Sequence, residues 1–321
     1  MTLPILGVFT PIAHIPNLAN KLNKYFKILN YPDVNYLYAF NNIQQIEYIF
    51  TNPNKLQFKF DSNLLTKANK LKVIATASTG DSHIDVEFLA KNRIELISLK
   101  NNFRVLNNLT STAELAFLFL LSAIRNFPES VNSVKNGHWD YERFIGKRIQ
   151  DLKIGVIGFG RLGKMFSQFC SSFGANVGIF DPYVEIFEPY AKYSSLEELF
   201  SECDAISLHV HLNKNTKQLI TKDLLNLTKS NSILINTSRG QIVNEKSIIE
   251  WIKKSGGHKY YTDVLGDENM NLANNDLIEF SKTNDQIIIT PHIGGMTAEG
   301  QKIAYNAVAD LLIDSLSRNG K

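Results

Sequence analysis

The sequence predicts an α/β protein of two doubly wound parallel-sheet domains, one inserted within the other. Three observations carry that expectation. The first hundred residues alternate β-branched or aromatic runs with helical ones, the pattern of a parallel sheet covered on both faces. A second βα series begins at Lys153 and continues to Pro291. Beyond Pro291 only one long helix remains, about 298–317, with no strand after it to extend the second sheet. That helix is expected to cross back onto the first domain and make it discontinuous. The expected domains are therefore 1–100 with 296–321, and 101–295.

Taken in order, residues 5–10, 48–51, 72–76 and 95–98 read as strands, and 17–29 and 63–69 as helices. A helix is expected from Ser111, whose hydroxyl can cap it while Glu114, three residues on, completes a capping box. It runs through AELAFLFLLSAIRN and stops before Pro128. Its apolar run, 115–124, is too short to span a bilayer and reads as a buried helix. In the second series 205–209, 232–236, 260–264 and 286–290 read as strands.

Bulk properties narrow the function. A chain of 321 residues is long for one core. Apolar content of 44% and charged content of 20% suit a globular protein, and a net charge of +3 argues against nucleic acid or a membrane surface as partner. Cys170 and Cys203 have neither metal-ligand spacing nor a disulfide framework, so a reducing, cytoplasmic setting and no metal are expected. MTLPILGVF lacks a basic flank and a small-residue cleavage site, so it reads as a first strand rather than a targeting segment.

The most specific signal spans 153–181, KIGVIGFGRLGKMFSQFCSSFGANVGIFD: apolar strand, glycine turn, helix, second apolar strand, acid. Gly158, Gly160 and Gly163 stand in G-x-G-x-x-G order, suiting a tight turn, close approach of backbone to a pyrophosphate, and close helix-to-strand packing. The helix that opens there turns unpaired N–H groups and its positive dipole end toward phosphate. Asp181 follows Gly163 by 18 residues and can accept both ribose hydroxyls of NAD while repelling the 2′-phosphate of NADP.

Three more segments fall where later strands end. SILINTSRG places Arg239 beyond one strand, YYTDVLGDE places Glu268 beyond the next, and IIITPHIGG places His292 at the mouth of the last. Alone, Arg239 reads equally as a surface ion-pair partner, Glu268 as a solvated loop acid and His292 as a structural histidine. Together on the rim of a dinucleotide-binding sheet they suit proton-coupled hydride transfer. An imidazole can exchange the hydroxyl proton, a carboxylate on its far nitrogen fixes the tautomer, and a guanidinium grips a carboxylate with two parallel bonds.

The chain resembles the NAD-dependent D-isomer-specific 2-hydroxyacid dehydrogenases, which include phosphoglycerate, glycerate and D-lactate dehydrogenases. The resemblance covers nearly the whole length, in ATASTGDSHID at 75–85, TSTAE at 110–114, the glycine turn, SLHVHLNKNTKQLI at 207–220, INTSRGQIVNE at 235–245 and TPHIGG at 290–295. It implies a Rossmann-like NAD domain inserted in a discontinuous, flavodoxin-like substrate domain, and a homodimer formed through the NAD domain with the Ser111 helix contributing. It implies that Arg239 binds the carboxylate of a 2-hydroxy or 2-keto acid, that His292 is the acid/base and that Glu268 orients it. Backbone around Ser78, Thr79 and Gly80 helps hold the carboxylate. The implied cofactor set is Gly158, Gly160, Arg161, Leu162, Gly163, Asp181, His209, Thr237, Asp263 and Gly294.

Several residues depart from the family's pattern. Asn269 stands where Pro often follows the glutamate, His211 where Pro is common and Asn244 where Asp is common. The Arg-Ser pair that holds phosphate in phosphoglycerate dehydrogenases is replaced by Thr51-Asn52-Pro53-Asn54-Lys55. Lys55 or Arg104 could serve a phosphate as a point charge, but both read more readily as solvated surface charges. No regulatory domain is expected after the last helix. The function implied is interconversion of a (2R)-hydroxy acid and its 2-keto acid. Phosphoglycerate dehydrogenase and hydroxypyruvate or glyoxylate reductase are its specific forms, and a non-enzymatic NAD-sensing binding protein is its rival.

Overall fold

Parallel strands buried on both faces need near-continuous apolar sequence, and both series supply it. The computed structural model describes residues 2–53, 58–268 and 272–319, so Asn54, Lys55 and Asn269 lie outside the described residues. Two units result, Met1–Leu109 with Gly295–Lys321 and Thr110–Gly294.

The first unit holds β1 (Ile5–Phe9), β2 (Lys27–Asn30), β3 (Tyr48–Thr51), β4 (Val73–Thr76) and β5 (Glu95–Ile97). All pair in parallel in the order β2-β1-β3-β4-β5, the flavodoxin-like arrangement. β3 and β4 are buried at every position. The Ala298–Asn319 helix packs Ala304, Tyr305, Val308, Ala309 and Leu312 into the same core as Leu6, Val8, Phe50 and Val73.

Two local expectations fail in this unit. The helix expected over 17–29 ends at Asn23, and Lys27–Asn30 is the edge strand β2. Leu18, Leu22 and Phe26 are all buried at spacings of four, so the helical period continues past the real end. Pairing overrides it: Lys27 N–H donates to Pro4 and Tyr31 N–H to Val8. The helix expected over 63–69 is one turn, Ser62–Leu65, capped by Asp61 accepting from the Leu64 N–H at 2.9 Å.

The second unit holds β6 (Lys153–Ile157), β7 (Asn176–Phe180), β8 (Ala191–Lys192), β9 (Ala205–Leu208), β10 (Ile233–Asn236), β11 (Lys259–Thr262) and β12 (Ile287–Ile289). Their order is β12-β11-β10-β9-β6-β7-β8, all parallel. Strand order reverses between β6 and β9, where doubly wound sheets open a crevice at their carboxyl ends. The glycine turn leaves β6 at that point.

The Ser111–Ile124 helix buries Ala113, Ala116, Phe119, Leu120, Ala123 and Ile124 in this unit's core. By length and composition alone the stretch Phe103–Ile124 could cross a membrane. It is broken, however, between the Phe103–Leu106 and Ser111–Ile124 helices. The cap differs from expectation. Thr110, not Ser111, is the N-cap, and its hydroxyl donates to the Glu114 carboxylate at 2.5 Å instead of accepting a backbone N–H. Pro128 does not merely end this helix; it sits in the first turn of another, Phe127–Lys135, where a missing N–H has no consequence.

Candidate active site

The glycine turn is shaped by what surrounds each glycine. Gly158 has φ +93°, and a Cβ there would lie 2.6 Å from the His209 carbonyl oxygen. A Cβ at Gly163 would lie 2.0 Å from the Gly158 oxygen, so only glycine lets the Arg161–Ser172 helix seat on β6. At Gly160 a Cβ would meet nothing within 4 Å, which leaves the backbone of the helix N-cap open to approach. Asp181 leaves β7 directly beside this turn. Its Oδ2 accepts the Phe159 N–H at 2.7 Å and its Oδ1 the Tyr183 N–H at 2.9 Å. Leu162 packs against the core, and burial pushes the Arg161 guanidinium down from its usual range.

These residues fit a dinucleotide. An open glycine cradle lies at a helix N-terminus, a carboxylate lies at the end of the second strand, and the buried Thr237 hydroxyl beyond β10 has no partner among the described residues.

His209 sits behind the turn. Its Nε2 meets the Ser207 hydroxyl at 2.9 Å and its ring lies 5.0 Å from that of Phe166, so it backs the loop from within the core. Burial pushes its imidazole down to about 3. Below its ordinary value of about 6.5 the unfolded chain takes up a proton here that the folded chain refuses. This contribution to stability is therefore full above about pH 6.5 and is lost as pH falls toward about 3. His209→Gln should flatten the decline in melting temperature between about pH 7 and pH 5. Parallel declines in variant and wild type would contradict it.

Arg239, Glu268 and His292 are carried by loops after β10, β11 and β12, and side-chain hydrogen bonds brace each loop. Asn236 Oδ1 accepts the Ser238 N–H at 3.0 Å, and its Nδ2 donates to the Arg239 carbonyl at 3.0 Å. The Arg239 guanidinium donates from Nη1 to the Ser238 carbonyl at 2.6 Å. Gly240 lies against the next loop so closely that a Cβ would be 1.9 Å from the Leu265 carbonyl carbon. That loop is pinned at Gly266, whose N–H donates to Glu245 at 2.6 Å and whose carbonyl accepts from Gln241 at 2.6 Å. Glu268 Oε1 accepts the Leu265 N–H at 3.2 Å, and its Oε2 lies 2.7 Å from His292 Nδ1.

His292 stands at φ +55°, in the left-handed region where a non-glycine residue costs roughly 1–2 kcal/mol. Asp263 holds it there. The fully buried Asp263 carboxylate accepts from the Thr290 hydroxyl at 2.5 Å and from the N–H groups of Ile293 at 2.8 Å and Gly294 at 2.7 Å. The His292 N–H donates to the Asp263 carbonyl at 3.0 Å. Burial pushes the Asp263 carboxyl up, and these donors oppose that. Strain at one residue, maintained by a buried carboxylate, marks a loop built for a specific side-chain position.

The structure thus brings Glu268 and His292 into contact and places Arg239 on the adjoining loop. Sequence reasoning missed Glu245, Gln241 and Asn236 as braces and the loop-holding bonds of Asp263. Asn236, Gln241 and Glu245 lie within the INTSRGQIVNE segment, but nothing in that segment says which later loop their side chains reach. Asn244 caps the Glu245–Lys254 helix by accepting the Ser247 N–H at 3.1 Å, a task Asp performs equally well. His211 is exposed in a loop, where its carbonyl accepts from Thr216 at 2.5 Å, and Arg104 is exposed on the Phe103–Leu106 helix.

In the first unit, Ser78, Thr79 and Gly80 form the turn that leaves β4. The Ser78 hydroxyl donates to the Gly80 carbonyl at 2.6 Å.

Comparison with known proteins adds the family. The model described as "D-isomer specific 2-hydroxyacid dehydrogenase, NAD binding domain" matches residues 117–294. The chain is similar to the D-3-phosphoglycerate dehydrogenase of Methanocaldococcus jannaschii, 34% identical over 256 residues, covering 78% of this chain and 47% of that protein. It is also similar to the glyoxylate reductase of Thermococcus litoralis, 34% identical over 266 residues, covering 79% and 77% respectively. The chain spans about half the length of the curated phosphoglycerate dehydrogenases it matches. In structure it superposes on the D-lactate dehydrogenase of Aquifex aeolicus complexed with NAD and lactic acid, with a TM-score of 0.84 and 25% identity over 98% of this chain and 96% of that one.

Proposed function

Because this chain belongs to the D-isomer specific 2-hydroxyacid dehydrogenase family, we propose that it interconverts a small (2R)-hydroxy acid and its 2-keto acid with NAD. The observation that carries the reading is the 2.7 Å contact between Glu268 Oε2 and His292 Nδ1, with His292 held in strained backbone and the Arg239 loop packed against the loop that bears Glu268. NAD, when bound, supplies or accepts the hydride at C2. Glu268 accepts the Nδ1 proton, which fixes the tautomer and leaves Nε2 to exchange a proton with the substrate oxygen. In reduction, His292 gives that proton to the oxygen at C2, and the Glu268 carboxylate stabilises the imidazolium that precedes transfer. Arg239 grips the substrate carboxylate and polarises the neighbouring carbonyl. The Ser78–Gly80 turn is assigned to a substrate carboxylate through its peptide N–H groups.

Gly158, Gly160, Arg161, Leu162 and Gly163 are assigned to the pyrophosphate side. Asp181 is assigned to the ribose, and Thr237, Asp263 and Gly294 to the nicotinamide side. His209 contributes as a support beneath the turn.

The substrate we favour is unphosphorylated. The segment after β3 carries no arginine, and the Asn52 amide is committed to the Ala77 carbonyl at 3.1 Å. NADH oxidation should be fastest with glyoxylate, hydroxypyruvate or pyruvate and slower with phosphohydroxypyruvate. A preference for the phosphorylated acid would overturn the substrate assignment, and no reaction with any of them would overturn the activity.

A homodimer through the second unit is supported by apolar side chains exposed on it, among them Leu118, Phe127, Trp139, Tyr141 and Ile145. Sedimentation at the mass of two chains is expected, and at one chain it would count against the dimer. Free, buried Cys170 and Cys203 support a reducing, cytoplasmic setting.

A further inference from the structure

We propose that Thr76, Ser78 and His83 form a buried hydrogen-bond chain that aims the peptide N–H groups of the turn after β4, with His83 as a positioning residue for the substrate carboxylate. The inference rests on the reading of that turn as a carboxylate site. What it adds is the device that sets the turn's shape, and a histidine with no assigned role.

The turn is held by its carbonyls. Ala77 C=O accepts from the Asn52 amide at 3.1 Å, Ser78 C=O from the Leu99 N–H at 3.0 Å, and Gly80 C=O from the Ser78 hydroxyl at 2.6 Å. These peptides are trans, so each carbonyl fixes the N–H of the following residue in the opposite direction. The clamps therefore aim the N–H groups of Ser78, Thr79 and Asp81 away from the sheet-side anchors. None of the N–H groups of residues 78–81 has an acceptor among the described residues. Successive N–H groups in a turn form a concavity for an anion.

The Gly80 clamp has a direction that elementary proton counting fixes. A carbonyl only accepts, so the single Ser78 hydroxyl proton goes to Gly80. Thr76 Oγ1, 3.0 Å from Ser78 Oγ, must then give its own proton to Ser78. The remaining partner of Thr76 Oγ1 is His83 Nε2 at 3.2 Å, which must be the donor. The order is His83 Nε2–H to Thr76, Thr76 to Ser78, and Ser78 to Gly80. Thr76 and His83 are both buried, and the His83 backbone is tied down by the Phe60 N–H donating to its carbonyl at 2.8 Å. A chain in which every hydroxyl must point one way leaves the Gly80–Asp81 peptide one orientation.

The test compares Thr76→Val, Ser78→Ala, His83→Leu and His83→Gln with wild type, all with NAD present. It measures melting, calorimetric binding of pyruvate and glyoxylate, and KM and kcat with NADH. Glutamine carries an N–H where the imidazole has Nε2–H and should restore what leucine removes. Each broken link should weaken carboxylate binding and raise the keto-acid KM about three- to tenfold, the worth of one neutral hydrogen bond. NADH affinity should be unchanged and kcat should change less than KM. Unchanged carboxylate binding in the folded variants would overturn the proposal, as would His83→Gln behaving like His83→Leu, or a wild type that binds neither carboxylate. If Thr76→Val does not fold, Ser78→Ala, at the half-exposed end of the chain, decides by the same readout. A wild type that binds both carboxylates and reduces neither would sink the dehydrogenase reading while leaving this one to stand on binding.

Discussion

His292→Ala is expected to lower keto-acid reduction by about 10²–10⁴-fold while NADH binding and melting temperature stay near wild type, because a positioned general acid supplies a factor of that size. The contact with Glu268 predicts the companion result. Glu268→Gln keeps a hydrogen-bonding group opposite Nδ1 but removes the charge that stabilises imidazolium, so it should lose less than His292→Ala. The double variant should lose little more than His292→Ala alone, since two residues acting as one unit are not additive. Steady-state NADH oxidation and NADH fluorescence titration read both quantities. A His292→Ala enzyme with more than about a tenth of wild-type turnover would remove the histidine from its assigned role.

The second large effect is expected at a residue that carries no chemistry. Gly240→Ala would put a Cβ 1.9 Å from the Leu265 carbonyl carbon and 2.1 Å from its oxygen. Neither neighbour is a flexible side chain. One of two loops must therefore move, and they bear Arg239 and Glu268. Overpacking of this kind costs about 1–3 kcal/mol, which for a unit of this size lowers the melting temperature by roughly 2–12 °C. Activity should fall further than stability accounts for, because a displacement near 1 Å at a reacting geometry can cost about 10²-fold. The check is thermal melting alongside kcat/KM. Wild-type kcat/KM in the folded variant would show that the close packing of these loops is not what holds the site.

The parallel α/β class was legible because βα alternation has few topological solutions. The loops that carry Arg239, Glu268 and His292 were legible because each follows a largely apolar strand. The edge strand β2 was not, since its alternation is weak and Leu18, Leu22 and Phe26 continue a helical period across the break. The true cap at Thr110 was hidden by a neighbouring serine with equal propensity.

Within the site, Arg239, Glu268 and His292 stood out as titratable or charged groups at strand ends. The groups that hold them did not. Glu245 lies 21 residues from the Gly266 N–H it accepts, and Asp263 lies 31 from that of Gly294. Such bonds depend on how two loops meet, which no local pattern encodes. Asn269 stands where the family's pattern often has proline, and the loop that carries Glu268 is gripped at Gly266 by both Glu245 and Gln241. The rigidity a proline would supply through the chain is supplied here through side chains.

The measurement that bears most directly on the proposed activity is the handedness of the product. Pyruvate and hydroxypyruvate, whose products carry a stereocentre at C2 as the glycolate from glyoxylate does not, should each yield the D-hydroxy acid with NADH in chiral chromatography. NAD should in turn oxidise that isomer and leave its mirror image untouched. Formation of the L-isomer, or of both isomers in equal amount, would contradict the assignment of Arg239, Glu268 and His292 to a single face of the substrate.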